Sequence, residues 1–460
     1  MAVVYRLNPI DTQLAAALPN GSLFAVGGRV RDELRADIGG VPSGSPDSDY
    51  VVVGLSTDDL IDRLRPLGRV DAVGAAFAVL KVTLDGTTVD VAAPRRERSV
   101  GIGHRDFEVQ TGPEVTLEED LARRDFRMNM LARSLPSGRI VDPYGGENDI
   151  RARRIDILTP DAFRDDPLRM LRAAQFAARF EYEVTPAVRA AMSAAAPLVT
   201  SVSAERVHDE LVKLFAKARK PSIGLELLRQ TGVLAHLWPE LLEGVGVEQN
   251  QWHAFDVWNH SLATLDAAAA GDLALRLAAL LHDVGKPRTK TGPHFYRHEI
   301  EGAEMTRTML ERFRFSNEVA KATEHLVRLH MYSADPELTD AALRRFIRRV
   351  EPENIERLFA LRHADIAGSG LPKRDGSNEA FEGRVRAELA RKPALSIRDL
   401  AVRGEDVIAA LVRRGDAPPG FGGDERVGAA LRWLFEQVTD EPGRNERALL
   451  LQILEQYLGE

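Results

Sequence analysis

The sequence predicts an α+β chain: a small mixed sheet with helices at the N-terminal end, then helices almost to the last residue. Three observations carry this. Between Leu23 and about Arg133, short runs rich in β-branched residues alternate with helix-like pieces. After Asp142-Pro143-Tyr144-Gly145-Gly146 the strand signals fade. Beyond that point apolar residues recur at helical spacing, as in residues 167–180 and 204–218, with Arg and Lys on the opposite faces.

Taken in order, Leu23–Val26 reads as a strand, Gly27-Gly28 as a turn, and residues 31–35 as the start of a helix. Residues 42–46 form a loop, and residues 49–54 a second strand. Residues 78–84 and 87–93 alternate like paired strands, with Asp85-Gly86 as their hairpin turn. Prolines at 197, 221, 239, 287, 336, 352 and 393 divide the later helices. The Ala-rich residues 187–196 are a helix, and the Gly- and Pro-containing residues 415–423 a loop.

At 460 residues the chain has room for about two to four domains. Its 44% hydrophobic and 28% charged residues describe a soluble globular protein. The absence of cysteine excludes disulfides and thiolate metal sites. The first nine residues lack the basic and apolar segments of a secretory signal, and charges interrupt every apolar stretch before membrane-spanning length. A cytoplasmic protein without a membrane partner is expected. The net charge of −8 argues against nucleic acid, but basic residues cluster locally at Arg151, Arg153 and Arg154, and at Lys213, Lys217, Arg219 and Lys220. The simplest role for each cluster is a solvated helix face.

Asp47 and Asp49 sit at i and i+2 at the start of the second strand, so both project to one side. Adjacent carboxylates repel and call for a proton or a cation. The Gly27-Gly28 turn nearby can present backbone N–H groups to phosphates. A third carboxylate would complete a site for two Mg²⁺ ions and a nucleotide; Asp90 is the first candidate and Asp85 the second.

These residues carry a family resemblance. Gly27-Gly28-x-Val30-Arg31-Asp32 with Asp47-x-Asp49 resembles the signature of the bacterial-type tRNA nucleotidyltransferase and poly(A) polymerase family, whose head is polymerase-β-like. Arg123-Arg124-Asp125-Phe126-Arg127-Met128-Asn129 is similar to the family's Arg-Arg-Asp-Phe-Thr-Ile-Asn motif; outside the family it reads as part of an amphipathic helix over residues 123–131. Asp142 to Gly146, Asp165-Asp166-Pro167-Leu168-Arg169-Met170-Leu171-Arg172, and Ser203-Ala204-Glu205-Arg206-Val207-x-x-Glu210-Leu211 continue the match in the family's order.

The resemblance implies that Asp47 and Asp49 are catalytic and hold Mg²⁺; Asp90 joins them as the candidate third catalytic carboxylate. Gly27, Gly28 and Arg31 would meet the incoming triphosphate, with Asp32 bracing the turn. Arg124, Asp125 and Asn129 would hold its sugar and phosphates. Asp166 and Arg169, with Arg172 in the same motif, would bind the nucleotide; Asp166 and Arg169 read the base of CTP or ATP without a template. At i and i+3 the pair would share a helix face, where a salt bridge is the plainer alternative. The family's usual Glu is Asp165 here, which leaves that pair in place.

The second half resembles the HD phosphohydrolase superfamily. His260, His282-Asp283 and Asp365 supply a divalent-metal ligand set, with His298 and His330 as candidates for a second metal or proton transfer. The end, from Ser396-Ile397-Arg398-Asp399-Leu400, resembles the family's tail, which grips tRNA; Arg413, Arg414, Arg426, Arg432, Arg444 and Arg447 are its candidate phosphate contacts.

The expected division is therefore a nucleotidyltransferase head (1–140), a helical neck that recognises the base (141–230), an HD-containing body (231–390) and a tRNA-binding tail (391–460). The expected activity is template-independent addition or repair of the tRNA 3′-terminal CCA from CTP and ATP. A poly(A) polymerase and a CC- or A-adding specialist share the chemistry, and residues 94–107 are a loop where they could differ. An HD-domain phosphohydrolase acting on 2′,3′-cyclic nucleotides and a non-catalytic RNA scaffold are the alternatives from other classes.

Overall fold

Gly27 turns the chain from a buried strand directly into a helix. The computed structural model describes residues 7–39, 48–73, 79–99, 107–250, 253–372 and 376–459. It divides into two units, one running to Leu242 with Arg312–Arg314, the other comprising Glu243–Glu311 and Phe315–Glu460.

In the first unit, β1 (Leu23–Val26) is wholly buried and pairs antiparallel with β2 (Asp49–Val52), with Val26 opposite Asp49. β3 (Arg69–Val73) leads to the hairpin of β4 (Val79–Leu84) and β5 (Thr87–Ala92). Asp85 (φ 47°) and Gly86 (φ 80°) both adopt the left-handed conformation that a two-residue primed turn requires. β5 runs parallel to β2. β6 (Arg95–Ser99) and β7 (Phe107–Thr111) form a separate antiparallel ribbon, so the expected loop over 94–107 begins as a strand; residues 100–106 lie outside the described residues. With β8 (Ala132–Ser134) and β9 (Ile140–Val141) the mixed sheet has the order β3-β4-β5-β2-β1-β8-β9.

One buried carboxylate ties three elements together beneath this sheet. Asp11 lies in the first turn of the helix Pro9–Ala17 and completes a capping box with Asn8. It also accepts two hydrogen bonds from the Arg29 guanidinium, at 2.8 and 2.7 Å, and one from the Tyr50 hydroxyl at 2.6 Å. Burial alone would raise the Asp11 carboxyl, but Arg29 and Tyr50 outweigh it and hold it low.

Helices Leu168–Phe180, Pro186–Ala195, Ala204–Lys217 and Pro221–Gln230 are the longest that follow the sheet in the first unit. Pro167 keeps Asp166 extended (φ −139°, ψ 99°), and the helix begins at Leu168. Asp166 therefore does not share a helix face with Arg169, contrary to the expectation from spacing. Residues 123–131 are not an amphipathic helix either: the helix ends at Ala122, and a 3₁₀ turn covers Arg127–Asn129.

The second unit is helical apart from one short hairpin. Its last helices, Gly404–Arg414, Glu425–Asp440 and Arg447–Gly459, enclose their own core of Val402, Val407, Leu411, Leu434, Val438 and Leu450. Among the described residues no helix is long and apolar enough to cross a membrane.

Asp11→Ala is expected to destabilise the first unit by about 3 kcal/mol, because Arg29 is left buried without its carboxylate. Hydrogen exchange of the β1 and β2 amides in urea would show the midpoint falling.

Candidate active site

The register of the sheet decides which carboxylates meet. Asp49 and Asp90 are direct neighbours on the parallel strands β2 and β5, so their side chains emerge on one face. Asp85 stays in the hairpin turn, where its carboxylate accepts from Gln13 at 2.7 Å. Lys81 Nζ lies 3.3 Å from Asp90. Asp47 lies outside the described residues.

Gly27 has φ 72°, and a Cβ built there would lie 3.1 Å from Arg124 Nη1 and 3.4 Å from Asp49 Oδ2. The turn, the guanidinium and the carboxylate thus converge at one point, with Gly28 opening the helix Gly28–Gly39 beside them. Arg124 is anchored through Nη2 on Asp120 at 3.1 Å, while its buried Nε has no hydrogen-bond partner within the protein. An oxygen-only acidic edge facing a glycine turn and a partly unsatisfied arginine matches hard divalent cations with phosphate.

A chain of largely buried polar contacts then runs from the turn to the helix Leu168–Phe180. Arg31 donates to Asp32 through Nε (2.8 Å) and Nη2 (2.9 Å), and to Asn129 Oδ1 through Nη1 (2.8 Å). It also lies over the rings of Phe176 and Phe180. Asn129 donates to Asp125 Oδ1 at 2.7 Å, and Arg172 donates to Asp125 Oδ2 at 2.7 Å. Glu210 stands 3.7 Å beyond Arg172 and accepts from Lys213 at 2.8 Å. Burial would raise the Asp125 carboxyl, yet Arg172, Asn129 and Arg169 bring it down to about 2.

Asp166 and Arg169 are held apart by different partners. Asp166 accepts from Arg206 at 3.0 Å and caps the Leu168 N–H at 3.2 Å. Arg169 donates to the Arg123 carbonyl at 2.6 Å. The salt bridge between them is not formed. Arg206, Glu210 and the Arg123 carbonyl support the predicted residues; Arg206 and Glu210 stand as charges within residues 203–211, but a backbone carbonyl leaves no signal in a sequence.

In the second unit, His260 comes from the helix Val257–Ala267, His282 and Asp283 follow Leu273–Leu281, and Asp365 lies on Ile355–Gly368. The first and last of these helices approach so closely at Gly368 that a Cβ there would fall 2.3 Å from Thr264 Oγ1. Each of the four histidines has Nδ1 on a backbone carbonyl: His260 on Gly368 (3.2 Å), His282 on Ala279 (3.0 Å), His298 on Phe295 (2.8 Å) and His330 on Val327 (2.6 Å). Donation there leaves every neutral ring with a bare Nε2. Yet Nε2 of His260 faces that of His282 at 3.1 Å, and Nε2 of His298 faces that of His330 at 3.2 Å. Facing lone pairs repel. Two metal–nitrogen bonds of about 2.0–2.1 Å at a tetrahedral angle hold their nitrogens about 3.3 Å apart, so the residues fit metal ions.

Asp283 serves both pairs. Its Oδ2 lies 3.4 and 3.2 Å from His260 and His282, and its Oδ1 lies 3.4 and 3.7 Å from His298 and His330. Asp365 Oδ1 lies 3.1 Å from His260 Nε2. Burial opposes the charge of Asp283, but His282 and Lys286 hold its carboxyl well below the usual range; His260 and His282 do the same for Asp365. Lys286, 2.7 Å from Asp283 and 2.6 Å from Gln249, joins the site without having been predicted. Its signal was its place three residues after Asp283. His253 also packs its ring 4.6 Å from that of His260.

Residues 23–156 match the model of the poly A polymerase head domain, residues 181–244 that of the probable RNA and SrmB-binding site of polymerase A, and residues 257–367 that of the HD domain. A polymerase-type nucleotidyltransferase head is therefore joined in one chain to an HD domain. The chain belongs to the family of multifunctional CCA proteins. It is 36% identical to the one from Cupriavidus metallidurans over 75% of this chain and 84% of that protein. It is 35% identical to the one from Nitrosococcus oceani over 84% and 94%. The fold matches the crystal structure of the Bacillus stearothermophilus CCA-adding enzyme in complex with CTP, with a TM-score of 0.70, 24% identity and 98% of each chain covered. The Thermotoga maritima CCA-adding enzyme complexed with tRNA matches at a TM-score of 0.57 and 19% identity, over 99% and 97%.

Because Asp125 has a lower carboxyl pKa folded than unfolded, its stabilising contribution is present above about pH 4 and is lost as pH falls toward 2. The loss amounts to about 2 kcal/mol. Asp125→Asn is expected to remove that part of the acid dependence, measured as urea midpoints of the first unit between pH 5 and pH 2.

Proposed function

We infer that this chain adds or repairs the 3′-terminal CCA of tRNA, taking CTP and ATP without a nucleic-acid template and releasing pyrophosphate. The observation that carries this is the in-register pair Asp49 and Asp90 beside the Gly27 turn and Arg124. The multifunctional CCA relatives, alike over most of their length, support it.

Magnesium held by Asp47, Asp49 and Asp90 would make the tRNA 3′-hydroxyl more acidic and neutralise charge on the leaving pyrophosphate. Gly27 and Gly28 let the triphosphate approach the backbone, and Arg124, whose Nη1 lies at the Gly27 turn, adds positive charge there. Arg31 acts from behind by fixing Asn129, which with Asp125 and Arg172 forms the wall for the sugar and phosphates. Arg206 and the Arg123 carbonyl immobilise Asp166 and Arg169, so the pair offers an acceptor and a donor edge already set for a base. Such a rigid edge suits selection between two bases without a template.

Residues 1–140, 141–230, 231–390 and 391–460 act in this scheme as head, neck, body and tail of a cytoplasmic enzyme needing no obligate protein partner. Of the arginines proposed to meet tRNA in the tail, Arg413, Arg414, Arg426, Arg444 and Arg447 make salt bridges to acidic neighbours. Phosphate contact there means exchanging one partner for another, at an affinity that falls with salt.

A second activity is favoured by one geometric observation, the two histidine pairs sharing Asp283. This is a phosphohydrolase centre in which His260, His282, Asp283 and Asp365 would hold one divalent metal, and Asp283, His298 and His330 a second. The ions would supply an activated water and polarise a phosphoryl oxygen.

Asp49→Ala and Asp90→Ala should each lower CTP incorporation into tRNA lacking CCA by on the order of 10³, with circular dichroism unchanged. Incorporation stopping at CCA supports the assignment; long A-tails from ATP alone would overturn it. His282→Ala or Asp283→Ala should abolish phosphate-ester hydrolysis of 2′,3′-cyclic nucleotides and leave CTP incorporation intact. Loss of both activities together would contradict separate centres.

A further inference from the structure

Building on the phosphohydrolase reading of the HD centre, we propose that the mouth of its cavity holds a base-stacking subsite formed by His294 and Tyr296. The centre would then prefer nucleoside 2′,3′-cyclic phosphates to phosphate esters that carry no base.

The cavity, of about 750 Å³, is lined by the ligands His282, Asp283, His298, His330 and Asp365, and also by the hairpin residues His294, Phe295 and Tyr296. In that hairpin Thr291 pairs with His294 and Lys290 with Phe295, and Gly292 (φ 60°) begins the two-residue turn. Tyr296 follows the strand His294–Phe295 directly, and its ring lies against that of His294. Phe295 is half-buried, with the ammonium groups of Lys286 and Lys290 at 5.5 and 5.8 Å from its ring centre. It anchors the hairpin. The His294 and Tyr296 rings stack on each other, with centroids 5.3 Å apart and planes at 29°, and Tyr296 remains 66% exposed.

A stacked pair facing solvent contributes little to the core, but it presents a preformed π surface to a ligand. Its position suits a nucleotide whose phosphate sits at the metal ligands. Tyr296 precedes the ligand His298 by two residues, at most about 7 Å of chain. Arg297 between them is held at φ 61°, a conformation costly for a non-glycine residue and often retained near functional groups. Met331, directly after the ligand His330, is 60% exposed and lines the same cavity. Its flexible thioether side chain adapts to different ring edges. Stacking recognises the face that all bases share, so the subsite would tolerate any base.

The test compares hydrolysis of 2′,3′-cyclic AMP with that of glycerol 1,2-cyclic phosphate, which has the same strained ring without a base, using the full chain with added divalent metal. The expected KM is about tenfold lower for the nucleotide, in the range of one base stacked on an aromatic ring. In Tyr296→Ala the KM ratio of the two substrates should fall to near one with kcat for the nucleotide retained, while Tyr296→Phe keeps the wild-type ratio. Equal KM values in the wild type, or equal shifts for both substrates in Tyr296→Ala, would overturn the subsite and leave the phosphohydrolase standing. Hydrolysis of neither substrate by the wild type would overturn the phosphohydrolase, and the subsite with it.

Discussion

Asp125 is the group on which the architecture of the first unit's site turns. A carboxylate buried in this way is tolerable because Asn129 and the Phe126 N–H satisfy one of its oxygens and Arg172 the other. In satisfying it, they join the 3₁₀ turn that precedes β8 to the helix Leu168–Phe180. Asn129 passes the constraint to Arg31, and Arg31 passes it to the helix that starts at the Gly27 turn. The position of the Gly27 turn and that of the helix Leu168–Phe180 are therefore set by one hydrogen-bonded chain. Because each link is charged or bonded to a charged group, the links are stiff. Cutting one leaves its neighbours buried and unpaired.

Asp283 plays the corresponding part in the second unit. It is the one carboxylate between two facing histidine pairs, and its two oxygens are divided between them. The carbonyls that hold each Nδ1 do as much as the ligands themselves, since they decide which nitrogen looks inward. Four such carbonyls, from separate places in the chain, turn the four Nε2 atoms toward the Asp283 and Asp365 carboxylates, an arrangement suited to cations. Lys286, bonded to the same carboxylate, already places one positive charge there.

The net charge of −8 conceals this arrangement. Much of the acid and base is spent in pairs, including most of the arginines first singled out as phosphate contacts in the tail. What remains for substrates is local: a guanidinium at the Gly27 turn near Asp49, and a carboxylate-bearing edge suited to cations. Partner chemistry follows from such local imbalance and not from the sum.

The sequence by itself determined the class of the fold, the glycine turn, the hairpin at Asp85-Gly86, the helical character after Gly146 and the identity of nearly all the chemical groups. Those features are local: φ preferences, alternation and helical spacing act over a few residues, and motifs preserve short spacings. The tertiary structure alone decided which groups meet. Strand register chose Asp90 over Asp85 as the neighbour of Asp49, because pairing between β2 and β5 joins segments that no local pattern relates. Pro167 removed Asp166 from the helix, and Arg206 and the Arg123 carbonyl then took the partners that helical spacing had assigned to Asp166 and Arg169 themselves. Which nitrogen of each histidine faces the centre likewise rests on carbonyl positions, which a sequence does not encode in any residue type. Composition and spacing can specify the parts of a site; only packing across distant segments brings their atoms to bonding distance.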